Sequence, residues 1–318
     1  MVYNQTERGV YAPGYYKDFK CIAGKCKHSC CVDWEICIDE ETLEKYKKVE
    51  NIIETVIESD EGACFKLTGD SRCPHLDESG LCKIIISHGE DYLSEICSNH
   101  PRFFNNVSKG RVEVGLGIVC EEACRLIIEN EHRFSLDKIE NEKVNFECDI
   151  EEFHNKFYPL IHRDKIILMI ETFDGNFDKK IVALQKKFGI FDVYINDEWI
   201  NLFLSLEILD LKWPKLLKSI KGERTAKGNI SGSFYEKYFE RLLIYFVYRY
   251  VSVAESLENL RARLAFAILS VQMIRCFFEQ ETMQSPEKLI DYARRYSAEI
   301  EYSDENIYEI IFELETKL

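Results

Sequence analysis

"CIAGKCKHSCCVDWEICID", from Cys21 to Asp39, places five thiols in nineteen residues, two of them adjacent. Three further blocks extend the pattern: Cys73 and Cys82 flanking a Glu-Ser-Gly turn, Cys97 in "GEDYLSEICSNHPRF", and Cys120 in "GIVCEEAC". Thiolates are soft ligands that select zinc, copper(I) or iron–sulfur clusters. Four of them close a structural zinc site or anchor a [4Fe–4S] cluster. Cysteines carried on turns suit this role, because loop backbone N–H groups stay free to bond the sulfurs. His28 and His75 lie near thiols, but no histidine recurs at a ligand-like spacing, so both read as surrounding residues.

The adjacent pair Cys30-Cys31 carries information of its own. Neighbouring side chains diverge, so either one ligates while the other packs, or the two serve two sites. Cys37, Cys64, Cys148 and Cys276 read as small buried hydrophobes. Cys124, four residues past Cys120 and on the same helical face, is a candidate spare ligand. The radical-enzyme triplet Cys-x3-Cys-x2-Cys is incomplete: Asp33 follows Cys26 and Cys30 where the third thiol belongs, and Ile127 does so after Cys120 and Cys124.

Composition bounds what holds these thiols. The chain has 318 residues, 46% hydrophobic and 31% charged, enough for one large core or two smaller ones. A net charge of −15 and a pI near 5.1 argue against a nucleic-acid partner, which calls for a basic face. Acidity suits solubility, or a basic partner such as a lysine-bearing protein. The first residues lack the apolar run of a signal peptide, and "KIILMIE" and "LLIYFVYRYVSV" are too short or too broken by charge to span a bilayer. The expectation is a cytoplasmic protein with no membrane contact, in which thirteen cysteines are ligands before they are disulfides.

Eleven of the thirteen cysteines fall between Cys21 and Cys124, which sets the expected organisation. Residues 1–135 form a Cys-rich metal- or iron–sulfur-binding domain, and residues 149–318 a helical one. The fold class expected is mainly α (α+β). In the first part, "DEETLEKYKKVENIIETVIESD" reads as one amphipathic helix capped by Asp39, with Leu43, Tyr46, Val49, Ile53, Val56 and Ile57 on one face. "CFKLTGDSRCPHLDESGLCKI" reads as tight turns with a small hairpin, and "KGRVEVGLGIVC" as a half-buried strand running into a helix at "CEEACRLIIENE". Six helical stretches follow, the first broken or kinked by Pro159, with the two between Ser233 and Glu281 central.

The blocks "FKCIAGKCKHSCCVDWEICID", "CPHLDESGLCKIIISHGEDYLSEICSNHPRF" and "GIVCEEACRL", in this order over roughly residues 19–126, resemble the N-terminal signature of the FliB-type flagellin lysine-N-methylases. That signature overlaps a broader group of zinc- or iron-chelating domains. The resemblance implies transfer of methyl groups from S-adenosylmethionine to lysines of flagellin. It implies ligands at Cys21, Cys26, Cys30, Cys31, Cys73, Cys82, Cys97 and Cys120, with an iron–sulfur cluster as occupant and zinc as the alternative. His100 in "HPRF" replaces a usual aromatic and leaves Arg102 in place, and His75 stands where Phe is commoner. Arg102 reads as pairing with a structural carboxylate, Glu90 as a helix-start residue, and Trp34 as a shield for a cluster. "EVGLGIVCEEA" has the look of a donor-binding turn at Gly115 and Gly117, but no alternating strand–helix pattern surrounds it, so a plain strand turn is the expectation. The competing readings are a non-catalytic metal-chelating module that recruits a protein, and a redox sensor.

Overall fold

The computed structural model describes residues 9–59, 62–108, 111–140, 157–190, 193–220 and 234–318. It is mainly helical, with two small sheets of short strands, as the sequence suggests. The chain forms two compact units: Met1–Asp18, Phe104–Val119 and Ala123–Leu318 make one, and Phe19–Phe103 with Cys120–Glu122 the other.

In the larger unit, Leu257–Glu279 is the axis. Ser256 caps its start by accepting from the Asn259 N–H. The helix is buried along nearly its whole length, from Leu260 to Phe278. It packs against Glu236–Phe246, Pro286–Tyr296 and Asp304–Lys317. Aromatic rings fill the gaps: Phe246 meets Phe266 and Tyr296 edge-on, and Trp213 meets Phe277. Two π-helical segments, Val247–Val251 and Ser297–Glu301, extend the preceding helices. From them Arg249 and Glu301 form an ion pair at 3.1 Å, and the Tyr245 and Tyr250 hydroxyls each donate to Glu301 at 2.9 Å.

The sheet runs in the order Arg102–Ser108, Arg111–Leu116, Gly9–Pro13, Leu136–Ile139. Gly9–Pro13 pairs parallel to Arg111–Leu116, with Val10 opposite Val112, and antiparallel to Leu136–Ile139, with Ala12 opposite Asp137. The strand expected to be half-buried is covered on both faces. Val114 and Leu116 are buried, and so is Glu113, because Arg111 (2.8 Å) and Arg163 both bond its carboxylate. Arg163 also donates to Ser252 at 2.9 Å, and Arg111 lies over the Tyr11 ring. A desolvated carboxylate between two guanidiniums can occupy a core position that unpaired charge cannot.

The smaller unit departs from its expected single helix. Asp39 caps Glu40–Tyr46 as expected, accepting from the Thr42 N–H at 2.9 Å. The helix then stops. Val49 is extended, a short helix spans Glu50–Ile53, and Val56–Ser59 is a strand paired with Gly62–Phe65. Val49, Ile52, Ile53, Thr55, Val56 and Ile57 are β-branched, which weakens helix preference and favours the hairpin. Cys37–Ile38 completes this three-stranded sheet. Pro159 lies near the start of the described helix Phe157–Thr172, and the stretch before it, where the sequence predicts a break or kink, lies outside the described residues. Among the described residues no helix is long and apolar enough to cross a membrane.

Candidate metal centre

The thiols of the smaller unit ride on short elements that turns bring together. The Cys73 N–H donates to the Cys31 carbonyl at 2.8 Å, and Val32 bridges Arg72, so the first and second blocks lie side by side. Leu76 bridges Cys82 across the turn Asp77–Leu81, which is the small hairpin expected there. The Asp77 carboxylate tightens that turn by accepting from the Ser79 and Leu81 N–H groups, both at 2.8 Å. Cys97 lies in Glu95–Asn99, and Asp39 also accepts from the Glu95 N–H at 2.8 Å, so one carboxylate ties two helix starts together.

Cys73 belongs to a hydrophobic cluster with Ile36, Tyr46, Phe65 and Ile84, and Cys31, Cys82 and Cys97 pack against it, as does Trp34. Burial raises the Cys73 thiol to about 12 and the Cys97 thiol to about 11. Cys30 and Cys31 are bonded to one another through a side-chain hydrogen bond between their sulfurs. The bond holds Cys31 down to about 7 and keeps Cys30 protonated well above its usual range. Trp34 donates its indole N–H to the Cys30 carbonyl and lies 5.9 Å from the His100 ring. Burial lowers His100 to about 4, and His75 likewise, the latter within 2.9 Å of the Thr55 hydroxyl.

Cys21, Cys26 and Cys30 lie on the loop before this cluster. The Cys21 sulfur accepts from the Ala23 N–H at 3.4 Å, and the Cys26 thiol donates to the His28 carbonyl at 3.3 Å. The Lys27 N–H donates to Glu121 at 3.0 Å, which seats Cys120–Glu122 on the same loop. Ala23 takes a left-handed φ of 47°, and a Cβ on Gly24 would stand 2.2 Å from the Ser79 carbonyl oxygen, so only glycine lets the loop reach that turn.

All eight thiols expected as ligands therefore lie in the smaller unit. Among the described residues no three His, Cys, Asp or Glu side chains stand close enough to hold a bare metal ion. The donor chemistry nonetheless fits a thiolate-bound centre: the sulfurs are free thiols, carried on turns and short helices, with no disulfide among the described cysteines. Of the thiols set aside as packing, Cys64 is buried and Cys276 partly so, but Cys37 is exposed on its short edge strand. Cys124 is buried and belongs to the larger unit, whereas Cys120 belongs to the smaller. Cys148 lies outside the described residues. Arg102 donates to the Ser98 carbonyl at 3.3 Å and lies over the Phe19 ring, and Glu90 opens a single 3-10 turn. Gly115 and Gly117 are buried in and just after their strand.

Sequence reasoning passed over a cleft of about 300 Å³ in the larger unit. Tyr15, Lys17, Asp18, His132, Arg133 and Asp137 are among its lining residues. Its two walls are far apart in sequence and meet through the pairing of Gly9–Pro13 with Leu136–Ile139. The one signal was the mixed charge of "NEHRFSLDK".

No family model matches the chain, and no solved structure does. Curated proteins do. The Lysine-N-methylase of Salmonella typhimurium (strain LT2) is 26% identical over 140 residues, 41% of this chain and 35% of that protein. Its counterpart in Salmonella choleraesuis matches equally. The flagellar biosynthetic protein FliU of Salmonella muenchen is 27% identical over 138 residues, 40% of this chain and 81% of that protein. The chain thus spans 35% of the length of the methylases it matches. The resemblance read from the cysteine blocks is borne out: the chain is similar to the FliB-like lysine-N-methylases and to FliU.

Proposed function

We propose that this protein is a protein-lysine N-methyltransferase acting on flagellin, with S-adenosylmethionine as donor and a thiol-held inorganic centre in its smaller unit. The observation that carries this is the similarity to proteins named Lysine-N-methylase. The gathering of four cysteine blocks in one unit supports the centre.

The lysine nitrogen forms a bond to the methyl carbon, the sulfonium–carbon bond breaks, and its electron pair stays on sulfur as a thioether. The amine must react without its proton. With an ordinary lysine pKa of about 10.4, removing that proton at neutral pH costs about 4.6 kcal/mol, which a base or a desolvating pocket has to offset. A net charge of −15 draws a basic side chain toward the protein. An iron–sulfur centre, where bound, supplies electron transfer.

We place the donor in the cleft at Tyr15. Its volume of about 300 Å³ lies at the lower end of small-molecule sites. The carboxylates of Asp18 and Asp137 suit a sulfonium and an α-amino group, and Lys17 and Arg133 suit an α-carboxylate. Replacing Arg133 and Asp137 together by Ala is expected to weaken S-adenosylmethionine binding about tenfold, or about 1.4 kcal/mol, by calorimetry. Unchanged affinity removes the donor from this cleft.

The activity is tested by mixing the anaerobically purified protein with flagellin, S-adenosylmethionine and a reductant, then mapping lysines by mass spectrometry. Methyl groups on lysines are expected. Unmodified flagellin from metal-loaded protein overturns the proposal.

A further inference from the structure

Cys37 and Cys64 take no part in the thiol-held centre, and they stand opposite one another in the three-stranded sheet. We propose that they are a redox modification site: a dithiol that a low-molecular-weight disulfide converts into a cross-strand disulfide.

Strand register places the pair. Cys37–Ile38 runs antiparallel to Gly62–Phe65, with Cys37 opposite Cys64 and Ile38 opposite Ala63. The Phe65 N–H donates to the Ile36 carbonyl at 3.1 Å. Hydrogen-bonded and non-hydrogen-bonded pairs alternate along an antiparallel ladder, so Cys37 and Cys64 form a non-hydrogen-bonded pair. At such a pair the Cα atoms stand about 4.5 Å apart and the side chains come closest. A disulfide spans a Cα separation of about 4.4–6.8 Å, so the bond can form without shifting either strand.

The pleat sends both thiols to one face of the sheet. Ile36, Ile38, Ala63 and Phe65 belong to the hydrophobic cluster, so Cys37 and Cys64, which alternate with them, lie on the outer face. Ile57 flanks Cys64 on its other side. Cys37 and Ile57 are exposed, and Cys64 between them is 9% exposed. Burial raises the Cys64 thiol to about 11, and the Glu35 carboxylate that hydrogen-bonds it and the nearby Cys37 sulfur add to the shift. Cys37 is the thiol that solvent reaches. Cys64 is held behind it, with an acceptor for its proton.

The chemistry is thiol–disulfide exchange. The Cys37 thiolate attacks one sulfur of the small disulfide, whose S–S bond breaks, and one small thiol leaves with the proton that Cys37 gave up. Cys64 then passes its proton to Glu35 and attacks the Cys37 sulfur. The mixed disulfide breaks, and a second small thiol leaves with that proton. Two protein thiols are oxidised, and one small disulfide is reduced to two thiols. Exposed disulfides are the readily reduced ones, so the bond is reversible. It fastens a strand of two residues that leads directly into Asp39, whose carboxylate joins two helix starts.

This inference goes beyond the proposed function and depends neither on methyl transfer nor on the metal centre. The test treats the anaerobically purified full chain with oxidised glutathione, alkylates the remaining thiols after denaturation, and maps the peptides by tandem mass spectrometry. A Cys37–Cys64 disulfide is expected, and excess reduced glutathione should remove it. Cys64→Ser lacks the second thiol and should retain glutathione on Cys37. Cys37→Ser should leave Cys64 free, neither bridged nor carrying glutathione. Glutathione retained on Cys37 of wild type, a bridge from Cys37 to another cysteine, or free thiols at both positions overturns the inference. Should Cys64→Ser not fold, wild type and Cys37→Ser decide, because Cys37 is exposed and its replacement opens no cavity. A Cys37–Cys64 disulfide in protein that leaves flagellin unmodified sinks the activity alone, and methylated flagellin with both thiols free does the reverse.

Discussion

The two units of this chain solve the stability problem in opposite ways. Around Leu257–Glu279 the larger unit buries a continuous set of aliphatic and aromatic side chains, which by themselves account for a fold. The smaller unit has helices of four to seven residues, strands of two to four, and a single cluster around Tyr46 and Phe65. Elements this short are marginal in isolation. Small cores of this kind are commonly completed by metal, and the thiols stand where such a fastening would act. Under the proposed function, the thiols do for this unit what core volume does for the other.

Metal removal puts the greatest strain on that contrast. Binding of a structural metal can supply about 10 kcal/mol to folding. Chelation under reducing, anaerobic conditions is therefore expected to abolish hydrogen-exchange protection across Phe19–Phe103 while Leu257–Glu279 keeps its own. Protection that persists in both units would mean that the smaller core suffices without metal.

Glu113→Ala probes the other side. The change leaves Arg163, fully buried, facing Ser252 and Asp164 without its main partner. A loss of about 3 kcal/mol is expected in denaturant titrations of the larger unit, because an uncompensated buried charge costs about 3–5 kcal/mol and Asp164 offsets part of it. Metal content should stay at the wild-type level. A loss below about 1 kcal/mol would show that this pair is not what holds the strand Arg111–Leu116.

How much of this was legible in the sequence follows the same division. The helices of the larger unit were readable because their apolar faces repeat at helical spacing and Asn176, Asn196, Ser256 and Ser285 cap them. Trp213–Ile220 and Asp304–Lys317 escaped notice, the latter because its apolar stripe at Ile307, Ile310, Ile311 and Leu314 is diluted by acidic residues. Gly9–Pro13 and Leu136–Ile139 escaped because a strand of four or five residues is defined by its distant partner. In the smaller unit the thiol blocks and their order were legible, since cysteine spacing survives any error in secondary structure. Spacing leaves open what the adjacent Cys30 and Cys31 touch; the fold packs Cys31 against the cluster around Tyr46. Cys37 was misjudged because an edge strand of two residues gives a thiol nothing to pack beneath.

His100 links the smaller unit's stability to pH. Burial, aided by the Arg102 charge, lowers it to about 4, against about 6.5 when unfolded. Between those values the unfolded chain binds the proton and the folded one does not, so stability is present above the unfolded value and falls as pH drops toward 4. At pH ~5 the loss is about 2 kcal/mol. His100→Phe keeps a ring against Trp34 and removes the titrating group, so its stability should fall less between pH ~7 and ~5 than that of wild type. Identical pH profiles would show that the imidazole already meets water in the fold.

Helix caps give the finest comparison of the two units. Ser256 accepts one N–H, from Asn259 at 3.0 Å, at the start of a helix buried along its length. Asp39 accepts two, from Thr42 and Glu95, and so holds the helix carrying Tyr46 against the helix carrying Cys97. Each substitution to Ala removes a cap worth about 1 kcal/mol. Ser256→Ala should cost that amount and leave metal content alone, because the rest of Leu257–Glu279 is fixed by packing. Asp39→Ala should cost somewhat more and also loosen the seat of Cys97, so that the proposed thiol-held centre is lost at a lower chelator concentration. Equal chelator sensitivity in the two variants would mean that Cys97 is placed by the hydrophobic cluster and not by the carboxylate.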